Sequence, residues 1–341
     1  MKKNIIILCV LLYIVSGCSE NSISEEDNPS STNWTLLSKT GRDICSIGNY
    51  VFCVSSNTGI YRSNDNGDTW STVNNGLNLT NTENIKLFEN TGILYASMTI
   101  HNSVLTSTTK YYKSINNGDT WVQIWQNLNK QPEDIKIINN VIFVCSGPYI
   151  YKSIDNGVNW TESNYISWNS ANRIVSDGSN YFSYNFNTSH ENQIHKSNNG
   201  SDFVELNNMN GFQEYDWPNQ HCSIITIGEK IYISTNYQGV LMSNDSGISW
   251  NARNNGLTST SGALNFVSSI SCFYSNNTKL YAGSWNRVFA FNSSNESWIK
   301  LGGNLNIDDV NEHVPVFSIT KNNNYYFAST GSSGKIYRLS I

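Results

Sequence analysis

An eight-residue stretch, Ser63-Asn-Asp-Asn-Gly-Asp-Thr-Trp70, recurs along this chain and restricts its fold more than any other feature. It returns as Ser114-Ile-Asn-Asn-Gly-Asp-Thr-Trp121, Ser153-Ile-Asp-Asn-Gly-Val-Asn-Trp160 and Ser243-Asn-Asp-Ser-Gly-Ile-Ser-Trp250. A shortened copy, Ser197-Asn-Asn-Gly-Ser-Asp-Phe203, and a worn one, Asn292-Ser-Ser-Asn-Glu-Ser-Trp298, extend the series. Each copy follows three short runs rich in β-branched and aromatic residues, which read as strands. In the first unit these are 44–47, 50–54 and 59–63, and the motif then delivers 70–73. The second unit offers 85–88, 93–98, 110–114 and 121–125; the third offers 135–138, 141–146, 149–153 and a strand from 160 onward. Units four to six repeat the plan at 173–176, 181–186 and 193–197; at 223–227, 230–235 and 239–243; and at 267–274, 280–283 and 287–292. Four short strands every roughly 40–50 residues is the period of a propeller blade. No segment carries the pattern of an amphipathic helix.

The two ends complete the count. Residues 316–320, 325–330 and 335–340 are three strands lacking a fourth, while Trp34-Thr-Leu-Leu37 is a fourth strand lacking the first three. Joined, they make a seventh blade and protect the edges that either would expose alone. The expected fold is all-β, a seven-bladed β-propeller over 33–341 closed by its N-terminal strand.

The chemistry of the repeated motif suits a tight turn. An Asp or Asn side-chain oxygen accepts backbone N–H bonds there, Gly adopts a backbone conformation others resist, and Trp buries a large apolar area. A structural role is therefore expected for Asp65, Gly67, Trp70, Gly118, Trp121, Asp155, Gly157, Trp160, Asp245, Gly247 and Trp250. These residues resemble the BNR or Asp-box repeat, Ser-x-Asp-x-Gly-x-Thr-Trp. The resemblance implies a hairpin turn between the third and fourth strands of a blade, away from the usual ligand face. The run at 65–68 suggests a calcium loop but lacks the downstream acidic ligand. No metal and no cofactor is expected.

Residues 1–17 read as a secretory signal: Lys2 and Lys3, then an apolar run over 5–15 too short to span a membrane. Val15-Ser16-Gly17-Cys18 resembles a bacterial lipobox, which implies cleavage before Cys18 and lipidation of it. Residues 18–32 are polar and acidic, a flexible tether. Ser19 after the cysteine is similar to lipoproteins sorted to the outer membrane, and the acidic patch resembles a surface-export signal of Bacteroidetes-type lipoproteins. Of seven cysteines, five remain after Cys9 and Cys18, too uneven for a disulfide framework. Free thiols are expected, with a Cys45–Cys53 pair across the turn at Gly48-Asn49 as the alternative. Charged residues make up only 14% of the chain and the net charge is −5, which excludes a nucleic-acid footprint.

Function is carried by the long loops. Segment 99–108 holds His101; 161–172 holds Glu162, Tyr165 and Trp168; 207–222 holds Phe212, Glu214, Tyr215, Asp216, Trp217 and His221; 304–315 holds Asp308, Asp309, Glu312 and His313. Aromatics beside carboxylates suit sugar rings, and loops on a rigid scaffold are where binding usually resides. The candidate ligand-binding residues are Trp168, Phe212, Tyr215, Trp217, His221, Trp285, Arg42 and Arg173. A glycoside hydrolase is the alternative, with Glu214 or Asp216 facing Asp309 or Glu312 as acid and base. The sialidase resemblance is poor. That family implies an early Arg-Ile-Pro and three substrate-binding arginines, whereas only Arg42, Arg173 and Arg287 remain here. Arg62 and Arg338 share a register with Lys113, Lys152 and Lys196 and read as structural. The preferred reading is a lipid-anchored envelope protein, monomeric, binding glycan or protein without catalysis. It resembles sortilin-like and photosystem-stability-factor-like propellers.

Overall fold

In a computed structural model, the described residues are 33–341 apart from 56–57, 104–105, 167–172, 187–191, 208, 213–222, 236–237, 258–269, 277, 306–313 and 332–333. They form seven antiparallel four-stranded sheets and, among themselves, no helix. Blade 1 consists of Arg42–Ile47, Tyr50–Ser55, Gly59–Ser63 and Ser71–Thr72. Blade 2 is Thr82–Asn90, Ile93–Ser103, Thr106–Ser114 and Val122–Ile124; blade 3 is Asp134–Ile138, Val141–Ser146, Tyr149–Ser153 and Thr161–Glu162. Blade 4 is Arg173–Ser176, Tyr181–Phe186, Asn192–Ser197 and Val204–Glu205; blade 5 is Ile224–Ile227, Lys230–Ser234, Val240–Ser243 and Asn251–Ala252. Blade 6 is Ile270–Ser275, Leu280–Ser284, Arg287–Asn292 and Ser297–Lys300. Val316–Lys321, Tyr325–Thr330 and Lys335–Ser340 make three strands of blade 7, and Thr35–Thr40 is its fourth. The seven-bladed propeller closed from both ends is thus the observed fold.

Each copy of the motif forms the turn between third and fourth strands. The leading serine hydroxyl accepts the glycine N–H, at 2.7 Å for Ser63 and Gly67 and 2.9 Å for Ser243 and Gly247. The third residue then accepts the N–H of the seventh, at 2.9 Å from Thr69 to Asp65 and 3.0 Å from Thr120 to Asn116. Asn66, Asn117, Asn156 and Ser246 take left-handed φ values of 61°, 54°, 59° and 56°, each followed by the left-handed glycine. These bonds stabilise the charged form, so Asp65 and Asp155 are held down to about 2. In blade 4 the shortened turn ends in Phe203, buried where other blades place Trp.

Adjacent blades are joined by two recurring devices. Trp121 Nε1 donates to Val73 O at 2.7 Å and Trp298 Nε1 to Arg253 O at 2.6 Å, each carbonyl belonging to the preceding blade. Trp34 Nε1 donates to Leu301 O of blade 6 at 2.9 Å, so the closing strand opens with a tryptophan in the same slot. The second device is the basic register on the third strand. Arg62 Nη1 donates to Asn117 O at 2.7 Å, Lys152 Nζ to Asn199 O at 2.6 Å and Arg338 Nη1 to Asn66 O at 2.9 Å. Each basic side chain satisfies a carbonyl in the next blade's turn. The sequence Asn-Asn-Gly-Leu has a related purpose: Trp121 N–H donates to Asn75 O at 2.8 Å, and Trp298 N–H to Asn255 O at 2.7 Å. A Cβ on Gly76 or Gly256 would fall 2.1 Å from the same tryptophan's carbonyl oxygen, and both glycines have positive φ. No other residue fits there.

Two expectations need correcting. His101 does not lie in a loop, because the second and third strands of blade 2 run on as a long hairpin that pairs His101 with Ser107. Glu162 likewise belongs to a strand, opposite Tyr151. Cys45 and Cys53 are both free thiols, as are Cys145 and Cys272. Cys45 sits opposite Phe52 across the hairpin, so its neighbour Cys53 points to the other face of the sheet. Cys45 packs toward blade 2 and Cys53 toward blade 7, which rules out a bond between them.

Candidate functional site

First strands of neighbouring blades contact one another around the ring. Short polar bonds join them: Ser46 Oγ to Thr320 Oγ1 at 2.8 Å, Ser271 Oγ to Val316 O at 2.6 Å, and Ser318 Oγ to Ile44 O at 3.1 Å. Every first strand begins where the chain arrives from the previous blade. Its first residue therefore lies on the face built from inter-blade connections and second-to-third-strand turns, opposite the repeated-motif turns.

Arg42 and Arg173 are such first residues, and both are exposed. Between them the fold departs from regularity. Asp43 adopts a left-handed φ of 45° at a bulge where the pairing with the second strand shifts register. Such a conformation is uncommon outside glycine, and Asp is among the residues that adopt it more readily. Burial pushes the Asp43 carboxyl above its ordinary value; Lys86, the Leu87 backbone N–H, Arg42 and Arg173 oppose this. Lys86 Nζ is itself held by Pro132 O at 2.7 Å. The charge on Arg173 also reaches the buried thiols of Cys145 in blade 3 and Cys272 in blade 6. The Arg173 charge is thus felt by groups in blades 1, 3 and 6. Three cationic side chains from blades 1, 2 and 4 thus act on one carboxylate, while Glu133 and Asp134 act from blade 3 on the Cys145 side.

Other sequence candidates scatter. Phe212 packs 6.1 Å from the Trp250 ring, in the core between blades 4 and 5. Trp285 is half-buried in the turn between two strands of blade 6 and bridges to Pro315, with Asn286 N–H donating to Val314 O at 3.0 Å. Arg287 Nε donates to Asn304 Oδ1 at 3.3 Å. Tyr165 is 42% exposed and meets Tyr149 edge-on at 6.1 Å, an aromatic pair at the blade 3 turn. Trp168, Glu214, Tyr215, Asp216, Trp217, His221, Asp308, Asp309, Glu312 and His313 lie outside the described residues, as does Cys18. Among the described residues no group of three His, Cys, Asp or Glu side chains could hold a metal ion. Sequence reading missed Asp43 and Lys86, which no motif marks.

No protein-family profile matches the sequence, and no curated protein matches it. Solved structures do. YCF48 bound to D1 peptide is similar with a TM-score of 0.58 at 14% identity, over 91% of this chain and 96% of that one. YCF48 from Cyanidioschyzon merolae gives 0.54 at 11% identity, over 90% and 98%. U3-55K gives 0.59 at 9% identity, over 92% and 100%. The likeness is one of fold. At such identities the shared propeller says nothing of ligand or chemistry.

Proposed function

We infer that this protein is a non-catalytic binding module of the cell envelope, anchored through Cys18, which receives an anionic segment of a partner protein at the face carrying Arg42 and Arg173. The observation that carries this is that Arg42 and Arg173 are exposed first residues of their strands on one face of the ring, where their charges and that of Lys86 act on Asp43. A cluster of positive charge on one face draws anionic ligands electrostatically. YCF48, which shares the fold, is known with a peptide bound, so a peptide ligand is the first class to test. A glycan reading draws on the exposed Tyr165, whose ring meets the half-buried Tyr149 edge-on.

Arrays of acidic peptides and of glycans, probed side by side, separate the two. Acidic peptides should be retained, with affinity falling as salt rises. Arg173→Glu should weaken binding by about tenfold or more, near 1.4 kcal/mol. Full retention by a folded Arg42→Glu, Arg173→Glu double variant would sink this reading. Product analysis on any glycan hit addresses the hydrolase alternative, because a binding module leaves its ligand intact.

Anchoring has its own test. Cys18→Ser should move the protein from the membrane fraction into soluble periplasm or medium. Wild type and variant in the same soluble fraction would refute the lipoprotein assignment without touching the binding result.

A further inference from the structure

One face of blade 4 breaks the pattern of the ring. Alternate residues along its middle strands point to opposite sides of the sheet. Phe182, Tyr184 and Ile194 pack against blade 5. The other side, facing blade 3, carries Ser183 directly opposite His195, and Asn185 directly opposite Gln193. Ser183 and Asn185 are fully buried and His195 is 5% exposed. Nevertheless Ser183 Oγ, Asn185 Oδ1 and His195 Nδ1 have no hydrogen-bond partner among the described residues. Each such buried atom costs about 1–3 kcal/mol if left unpaired. Three on one face would consume much of the roughly 5–15 kcal/mol that separates folded from unfolded domains.

The neighbouring amides fix what is missing. Gln193 Nε2 donates to Glu205 Oε1 at 3.0 Å, and a carboxylate oxygen demands a donor. Gln193 therefore presents Oε1 to Asn185, which donates Nδ2 at 3.2 Å. Reversing either amide would set oxygen against oxygen, so the free atom of Asn185 is its acceptor. Whatever satisfies it must donate a hydrogen. Burial holds His195 down to about 4, so its ring is neutral and Nδ1 can either donate or accept.

The same register in other blades shows why there is room. The partner of Cys53 is Tyr61, of Ala96 is Tyr112, of Val144 is Tyr151 and of Ala328 is Tyr337. In blade 4 the shorter imidazole of His195, paired with Ser183, stands where four other blades place a hydroxyphenyl ring. We propose that the blade 4 face is an internal hydration site, with about one or two ordered waters between blades 3 and 4. They donate to Asn185 Oδ1 and bridge to His195 Nδ1 and Ser183 Oγ. Buried waters of this kind make about three bonds to otherwise unsatisfied groups.

A high-resolution crystal structure should show solvent density within about 2.7–3.2 Å of Asn185 Oδ1 and His195 Nδ1. Oxygen-17 relaxation dispersion should count fewer long-lived waters in the Ser183→Ala, His195→Tyr double variant, which reproduces the Ala–Tyr pair of blades 2 and 7. A dry face in the wild type, or density for an ion or organic group there, overturns the proposal. So does an unchanged water count in the folded double variant. If that variant does not fold, density in the wild type decides alone.

Discussion

Deleting residues 33–38 should unfold or aggregate the ring. The deletion removes Trp34 and Leu37, both buried, and most of the outer strand that pairs Thr35 with Arg338 and Leu36 with Tyr337. Trp34→Ala alone should cost about 3–5 kcal/mol through its cavity, and it also strands the Leu301 carbonyl that Nε1 now satisfies. Urea midpoints at constant slope measure this directly. Removing 19–31 should leave the midpoint where it is. Equal stability of wild type and Trp34→Ala would mean that the ring does not depend on its closing strand.

Mild acid should destabilise the protein before its carboxylates titrate. His195 is held near 4 by burial, against about 6.5 in an unfolded chain. Between those values the unfolded state binds more protons, so stability falls as pH drops. The contribution is whole above about 6.5 and lost by about 4, at most about 3.4 kcal/mol at 1.36 kcal/mol per unit. Asp65 and Asp155, held near 2, act in a lower window: their contribution is present above about 4 and lost as pH falls toward 2. Melting temperature against pH should therefore fall in two stages, and His195→Tyr should flatten the first while sparing the second. Parallel curves for wild type and variant between pH 6.5 and 4 would assign the acid loss elsewhere.

The ring was legible because its strongest contacts are spelled in recurring residues. Trp34 could be placed because it heads an orphan strand, and it occupies the slot that Trp121 and Trp298 fill. The register of Arg62 and Arg338 marked them as structural, and each indeed reaches the next turn. Phe212 looked like a loop aromatic, since nothing in a single sequence separates an inter-blade plug from an exposed ring. Asp43 was hidden because a bulge depends on how two strands meet, not on either strand alone. His195 left a readable trace that goes unremarked without the pairing. Tyr61-Arg-Ser, Tyr112-Lys-Ser and Tyr151-Lys-Ser are answered in blade 4 by His195-Lys-Ser.

Building the last blade from both ends also sets a timetable. Thr35 emerges early in synthesis, yet its partner Arg338 is made some 300 residues later. At about 5–20 residues per second the outer strand waits on the order of tens of seconds. Throughout that interval its edge and the Trp34 ring remain available to other chains. Fragments cut short by premature termination never acquire the mate at all. Completeness is thus inspected by the architecture itself: only a polypeptide carrying both halves of blade 7 can close the ring, and a shorter product stays marked for chaperones and proteases.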